Sequence, residues 1–183
     1  MKNITVFGAS KAVPGDPLYE QARRLGQLIG GAGWGVLTGG YIGTMEAVSR
    51  GAAEAGGHVI GVTCDQIETW RSIGPNRWVK EERRYPTNIE RLTALIQGCD
   101  AALALPGGVG TLAEVAVLWS QLQIGAAEPR PFFVIGPGWT ATIDAFKAGL
   151  SEYIPAEDRD WVTAVDDVDA AFQHLKAHFE PPA

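Results

Sequence analysis

The sequence predicts one doubly wound, Rossmann-like α/β domain with a mainly parallel sheet, extending over residues 1–183. Strand-like and helix-like segments alternate along the whole chain. The strand-like segments are apolar throughout, which is typical of parallel strands covered by helices on both faces. Glycines follow several of these segments, and the total of 23 in 183 residues exceeds the average share of roughly 7%.

The first part of the chain contains three predicted strands and two predicted helices. The strands are ITVFG (4–8), WGVLTGG (34–40) and HVIGVT (58–63), and the helices are LYEQARRLGQLIGGAG (18–33) and IGTMEAVSRGAAEAGG (42–57). Asp16 and Pro17 supply a cap and a first-turn proline to the first helix. Its apolar residues recur on one face, at Leu18, Ala22, Leu25 and Ile29.

The segment from Cys64 to Tyr85 is less regular. It contains Trp70, Trp78 and the charge run KEERR. Loops longer than about 12–15 residues are unusual in a compact domain and are often functional. This segment is therefore predicted to be a functional lid, a loop with a short extra strand, or both.

Alternation resumes at Thr87, which is predicted to form a capping box with Glu90 at the start of the helix IERLTALIQG. The remaining predicted elements are the strand DAALAL (100–105), the helix LAEVAVLWSQLQ (112–123), the strand PFFVIG (131–136), a helix over 140–153, the strand WVTAV (161–165) and an amphipathic helix over 167–179. This order of elements completes the doubly wound prediction.

Composition argues against several classes of function. The formal net charge is −6 and the chain has no basic stripe, whereas nucleic-acid binding depends on clustered Lys and Arg. No apolar run approaches the roughly 20 residues that span a bilayer, so no membrane partner is expected. The N-terminal sequence MKNITVFGAS enters a strand pattern at once, which argues against a signal peptide.

The cysteines and histidines also limit the possibilities. Cys64 and Cys99 are far apart in the sequence and form no metal-binding motif, which predicts free thiols in a reducing cytoplasm. His58, His174 and His178 have no metal-ligand spacing with Asp or Glu. No metal ion is therefore expected.

The predicted ligand site lies at the carboxyl ends of the strands, near a topological switch point of the sheet. Three turns end strands there, namely GAS (8–10), TGGYIGT (38–44) and PGGVGT (106–111). The candidate phosphate- and ligand-binding residues in these turns are Gly8, Ser10, Gly39, Gly40, Gly43, Thr44, Gly107, Gly108, Gly110 and Thr111. A glycine-rich turn before a helix aims free backbone N–H groups and the positive end of the helix dipole at one point, which suits a phosphate. The alternative is that these glycines only make tight turns possible.

Two known phosphate-binding motifs are missing. The segment GASKAVPG does not match the G-x-G-x-x-G fingerprint that follows the first strand of dinucleotide-binding domains. Thr111 follows Gly110 without the lysine of a Walker loop. Neither a nicotinamide enzyme nor an ATPase of that type is favoured, and no cofactor is expected.

Two charged residues near these turns each have two interpretations. Glu114 lies one helical turn inside the helix that follows PGGVGT, within reach of whatever a bound phosphate carries. Thr111 and Glu114 also fit the capping box T-x-x-E, which the spacing alone favours. Arg91 lies off the apolar stripe of its helix, which by itself predicts a solvated arginine.

The helix over 112–123 is strongly apolar. Trp119 recurs at helical spacing with Val115, Leu118 and Leu122, as expected for a core or for a dimer interface. We therefore predict a homodimer formed through this helix, with Trp119 at its centre.

The stretch PGGVGTLAE (106–114), preceded by Arg91, resembles the signature P-G-G-x-G-T-x-x-E of the LOG (Lonely Guy) family, also described as lysine decarboxylase-like. Upstream, VFGAS resembles the first strand and turn of that family. LTGGYIGTMEAVSRGAAEAGGHVIGV resembles its second glycine-rich turn with the helix and strand that follow. The resemblance covers about residues 3–150.

This resemblance implies a Rossmann-like, usually dimeric protein that hydrolyses the N-glycosidic bond of a nucleoside 5′-monophosphate. The implied substrates are AMP or cytokinin nucleotides, and the products are the free base and ribose 5-phosphate. Arg91 and Glu114 correspond to the motif arginine and glutamate of the family, with catalytic roles. The turn over 107–111 corresponds to the 5′-phosphate site.

The sequence also departs from the family pattern. Leu92 stands where the family has a lysine, Thr38 stands in place of the first glycine of G-G-G, and Glu46 stands near the start of the second helix. These differences resemble a divergent branch of the family. The alternative function is therefore a non-catalytic nucleotide sensor or a carrier of a molybdenum-cofactor type of ligand.

Overall fold

The computed structural model describes residues 1–181 as an α/β fold with one parallel seven-stranded sheet. Its strands are β1 (Asn3–Phe7), β2 (Gly35–Thr38), β3 (Val59–Cys64), β4 (Glu81–Tyr85), β5 (Ala101–Ala104), β6 (Phe132–Ile135) and β7 (Thr163–Val165). Its α-helices are α1 (Pro17–Gly31), α2 (Thr44–Glu54), α3 (Asp65–Arg71), α4 (Asn88–Gln97), α5 (Val109–Gln123), α6 (Pro137–Gly149) and α7 (Val168–Phe179). Short 3-10 turns cover Ser151–Tyr153 and Ala156–Trp161. The predicted fold class is confirmed.

The strand order is β4-β3-β2-β1-β5-β6-β7. The chain runs outward from β1 to β4, and then returns to the other side of β1 to build β5, β6 and β7. In the register between the two central strands, Thr5 pairs with Ala102 and Phe7 with Ala104. The order reverses between β1 and β5, so this is the topological switch point at which such sheets bind ligands.

Helices cover both faces of the sheet, which explains why the strands are apolar throughout. On one face, α1, α2 and α7 enclose a core that includes Tyr19, Val48 and Leu175. On the other face, α4, α5 and α6 enclose a second core that includes Leu95 and Leu118. In residues 1–181, none of the helices combines the length and apolar character that a membrane span needs.

The segment between Cys64 and Tyr85 contains a short helix and a strand. α3 begins directly after β3, and β4 pairs with β3 in parallel at the edge of the sheet. The prediction of a short extra strand is therefore confirmed. The strand was hard to recognise because its sequence, EERRY, is polar, and at a sheet edge charged side chains can point to water.

Two helix starts bear on the site. The predicted capping box is present at α4, where the Glu90 N–H donates to Thr87 Oγ1 at 3.2 Å and the Thr87 N–H donates to Glu90 Oε2 at 3.0 Å. The helix α5 begins at Val109, three residues before the predicted start at 112. Gly110 and Thr111 therefore belong to its first turn.

Candidate functional site

A cavity of about 550 Å³ opens at the carboxyl ends of the central strands, beside the switch point between β1 and β5. This volume is within the range of about 300–1,000 Å³ found for small-molecule sites. The turn after β1, the first turns of α2, α4 and α5, and the helix α3 contribute to its wall. The lining residues predicted from the sequence are Gly8, Ser10, Arg91, Gly108, Gly110, Thr111 and Glu114.

The first turn of α5 gives one side of the cavity its backbone donors. The first bond of the helix runs from the Leu112 N–H to the Gly108 carbonyl at 3.0 Å. The N–H groups of residues 108–111 precede that bond and so have no partner within the helix. Gly107 permits this arrangement, because a Cβ atom there would lie 2.1 Å from Thr111 Oγ1. The result is a helix N-terminus open to an anion.

Arg91 lies on α4 and is only 6% exposed, which makes the prediction of a solvated arginine wrong. Its Nε donates to the Val62 carbonyl at 2.7 Å, and its Nη1 lies 3.4 Å from Asn88 Oδ1. The guanidinium also stands 5.6 Å from the centroid of the Tyr41 ring. The end of β3 therefore draws the side chain inward, an influence that the periodicity of α4 cannot reveal.

Glu114 projects from α5 into the same cavity, with its Oε1 atom 4.0 Å from Nη1 of Arg91. Its side chain is 15% exposed. Burial raises its pKa to about 7, and the positive charge of Arg91 opposes that rise. A separation of 4.0 Å is longer than a hydrogen bond, so the cation compensates the desolvation only in part.

Glu114 does not cap its own helix, so the predicted capping box with Thr111 is wrong. The N-cap residue of α5 is Gly108, in an extended conformation and without a side-chain cap. Thr111 is already the third helical residue, and its side chain packs back against Gly107. The carboxyl group of Glu114 is therefore not engaged in a cap and faces the cavity.

Within the turn over 38–44, Tyr41 and Ile42 line the cavity, whereas the predicted residues Gly39, Gly40, Gly43 and Thr44 do not and lie behind it. A Cβ atom on Gly39 would lie 1.8 Å from Nη2 of Arg91, so only glycine leaves space for the guanidinium. The Thr44 N–H donates to the Ala9 carbonyl at 2.8 Å, which fixes the turn after β1. Gly107 likewise lies outside the lining.

The lining also includes residues that were not predicted. They are Ala9, Tyr41, Ile42, Met45, Gln66, Ile67, Trp70, Arg71, Ile73, Asn88, Leu92, Val109 and Ala113. Five of them belong to α3 or to the residues just after it, within the segment that was predicted as a possible lid. The tryptophan in that polar, irregular stretch was the signal that could have identified them.

Two departures from the family pattern, Leu92 and Glu46, differ in their position relative to the cavity. Leu92 lines the cavity and is 7% exposed, so the place of the family lysine is apolar here. Glu46 does not line the cavity and therefore does not face a ligand bound there. Within residues 1–181, no group of three or more His, Cys, Asp or Glu side chains is arranged to hold a metal ion.

The chain is similar in sequence to known proteins. Residues 1–125 match the model of the SLOG cluster4 family. The chain is 31% identical over 176 residues to the cytokinin riboside 5′-monophosphate phosphoribohydrolase of Mycobacterium marinum, covering 92% of this chain and 91% of that protein. It is 29% identical to the protein of the same name from Mycobacterium tuberculosis, over 85% of this chain and 84% of that one.

Solved structures show the same fold. The molybdenum cofactor binding protein of Rippkaea orientalis superimposes with a TM-score of 0.76 and 23% identity, over 97% of both chains. The molybdenum cofactor carrier protein of Chlamydomonas reinhardtii superimposes with a TM-score of 0.70 and 26% identity, over 96% of both chains. The chain belongs to the SLOG cluster4 family and to the LOG family that its curated relatives represent.

Proposed function

We propose that the chain is a phosphoribohydrolase that cleaves the N-glycosidic bond of a nucleoside 5′-monophosphate, AMP or a cytokinin nucleotide, to the free base and ribose 5-phosphate. One observation carries the proposal. The largely buried carboxyl group of Glu114 and the buried guanidinium of Arg91, 4.0 Å apart, share one cavity with the open N-terminus of α5. The curated relatives named for this reaction support it.

The phosphate fits the first turn of α5. Backbone N–H groups of residues 108–111 and the helix dipole favour a doubly charged group there. Ser10 Oγ, on the opposite turn, is a further donor at the cavity wall. A phosphate held at this point places the ribose toward Glu114, so that binding energy remote from the bond helps to position it.

Glu114 is the group suited to the reacting centre. Cleavage of an N-glycosidic bond builds positive charge on the ribose, by analogy with O-glycoside hydrolysis. The ionised carboxylate can stabilise that charge or accept a proton from the attacking water, and a pKa of about 7 makes both protonation states accessible near neutral pH. Arg91 contributes a fixed cation with a fork of donors that suits phosphate or hydroxyl oxygens.

The test is release of adenine from AMP, measured by chromatography. Because a positioned acid or base contributes about 10²- to 10⁴-fold to a rate, we expect Glu114→Gln to lower adenine release at least about 100-fold. The exposed Glu157→Gln is the matched control and should leave the rate unchanged. A wild-type protein that releases no base from any nucleoside monophosphate contradicts the proposal.

The second candidate is a nucleotide sensor or a carrier of a molybdenum-cofactor type of ligand. Leu92 favours it, because an apolar residue replaces a cation in the cavity wall. The molybdenum cofactor carrier with the same fold is consistent with it. A carrier would show saturable thermal stabilisation without turnover, of about 2.7 kcal/mol when the ligand is present at 100 times its Kd.

We further propose a homodimer formed through residues 112–123, acting in the cytoplasm. Val109 and Leu112 are apolar, exposed and next to the cavity. Trp119, by contrast, packs within the chain, since its Nε1 donates to the Asp158 carbonyl at 2.8 Å and its ring meets Phe146. We therefore place the contact at the first turns of the helix instead of at Trp119.

A further inference from the structure

The two sides of the cavity differ in polarity. The α5 side offers backbone donors and the carboxyl group of Glu114, and Arg91 of α4 lies next to that carboxyl group. The α3 side presents three apolar side chains, Ile67, Trp70 and Ile73, together with Gln66 and Arg71. The first side suits a phosphorylated sugar, but Ile67, Trp70 and Ile73 offer a sugar phosphate no polar contact, and the Arg71 guanidinium already donates to Ser10 Oγ. The three apolar side chains suit a planar, weakly polar group attached to that sugar.

Trp70 is the largest side chain on the α3 side. The residue is 72% exposed although it lines the cavity, so most of its surface is open to a ligand. An indole supplies a large, rigid contact area and prefers to be covered by another planar group. Proteins that bind single-stranded nucleic acids stack bases on aromatic side chains that are open in this way.

The helix α3, which carries the indole, is held at both ends. The guanidinium of Arg71 lies 4.3 Å from the centroid of the Trp70 ring, and its Nη1 donates to Ser10 Oγ at 3.1 Å. That contact connects α3 with the turn after β1 across the mouth of the cavity. Arg84 secures α3 from the other end, with ion pairs of 2.7 Å to both Asp65 and Glu68. These contacts therefore fix α3 beside the cavity, with the Arg71 guanidinium against the indole of Trp70.

We infer that Trp70 is a specificity-determining residue on which the base of the bound nucleotide stacks, while the phosphate occupies the first turn of α5. This inference rests on the proposed function for the kind of ligand. Arg71 covers part of one face of the indole, and the base takes the open surface. The ligand class is then a nucleotide with an intact planar base, and ribose 5-phosphate alone lacks this contact.

The experiment measures binding by calorimetry in the background of Glu114→Gln, which keeps AMP intact. The probes are AMP and ribose 5-phosphate, and the added substitutions are Trp70→Ala and Trp70→Phe. Tyr153→Ala is the matched control, since Tyr153 is another exposed aromatic residue and lies outside the cavity lining. Thermal unfolding checks that each variant is folded.

We expect Trp70→Ala to raise the Kd of AMP about 5- to 100-fold, from the usual contribution of base stacking on an aromatic ring. Trp70→Phe should lose less, and neither variant should change the Kd of ribose 5-phosphate by more than about twofold. Equal losses for both ligands, an unchanged Kd for AMP, or no AMP binding in the Glu114→Gln background would overturn the inference. Adenine release by the wild type tests the proposed function separately, because the stacking inference stands if AMP binds through Trp70 without being cleaved.

Discussion

At the scale of single residues, Glu114 and Arg91 show how burial and charge act in opposite directions on one carboxyl group. Removal from water raises the pKa of Glu114 to about 7, and the guanidinium 4.0 Å away lowers it without cancelling the rise. Arg91 is held in its buried position because the Val62 carbonyl accepts from its Nε and Gly39 leaves space for its Nη2. The site thus holds a fixed cation and a carboxyl group that titrates near neutral pH.

The raised pKa of Glu114 predicts a specific pH dependence of stability. Between the ordinary pKa of 4.5 and the value of about 7 in the folded state, the folded protein keeps a proton that the unfolded chain has lost. The free energy of unfolding should therefore fall as the pH rises through this range. The stabilisation that the protonated Glu114 gives the folded state is lost above about pH 7.

Glu114→Gln removes this titration. The difference in free energy of unfolding, Glu114→Gln minus wild type, should become more positive by about 2–3 kcal/mol from pH 5 to pH 8. Urea denaturation at each pH measures this difference. The other carboxyl groups are common to both proteins and cancel in the difference. A difference that stays constant with pH would contradict a raised pKa.

At the scale of elements, the start of α4 positions the cation. The capping box of Thr87 and Glu90 fixes the first turn of α4, which contains both Asn88 and Arg91. Asn88 lies beside the guanidinium, so the same turn both begins the helix and steadies the site. The helix boundary and the position of Arg91 are therefore linked.

We expect Thr87→Ala to lower the free energy of unfolding by about 1 kcal/mol, the typical value of an N-cap side chain. Thr93→Ala is the matched control on the same helix. Thr93 is exposed and donates only to the Ile89 carbonyl one turn back, so alanine should be neutral or slightly stabilising there. Equal effects of the two substitutions in chemical denaturation would show that the cap contributes nothing.

Local sequence signals predicted the elements better than they predicted the site. The cap at Thr87 was recognisable because a capping box depends on residues three apart. The same rule failed at Thr111 and Glu114, since Gly108 begins α5 earlier and leaves the carboxyl group free of the cap. The inward position of Arg91 depends on a carbonyl of β3, which no pattern within α4 encodes.

At the scale of the whole molecule, the sheet order gathers the site from distant parts of the sequence. The order in which strands are added reverses between the parallel strands β1 and β5, which brings the turn after β1 next to the first turn of α5. The helix α3, which follows β3, and Arg91 on α4, which follows β4, line the other side of the cavity. The apolar residues Val109 and Leu112 are exposed beside the cavity.

The exposed face of α5 predicts self-association of the whole molecule. We expect sedimentation at micromolar concentration to show a dimer, because apolar side chains exposed side by side favour burial against a second copy. Leu112→Glu should shift it to a monomer, while Leu150→Glu, an exposed leucine outside α5, should not. A monomeric wild type would contradict the proposal.

The sequence by itself determined the parallel α/β architecture, the order of its elements and the two glycine-rich turns, because hydrophobic periodicity and turn chemistry act between neighbouring residues. Only the tertiary structure decided that residues 108–111 line the cavity while Gly39 and Gly43 support it from behind. It also decided that Arg91 lies 4.0 Å from Glu114 and that Trp70 lines the α3 side of the cavity. These contacts join residues far apart in the chain, and their geometry follows from the crossover at the centre of the sheet.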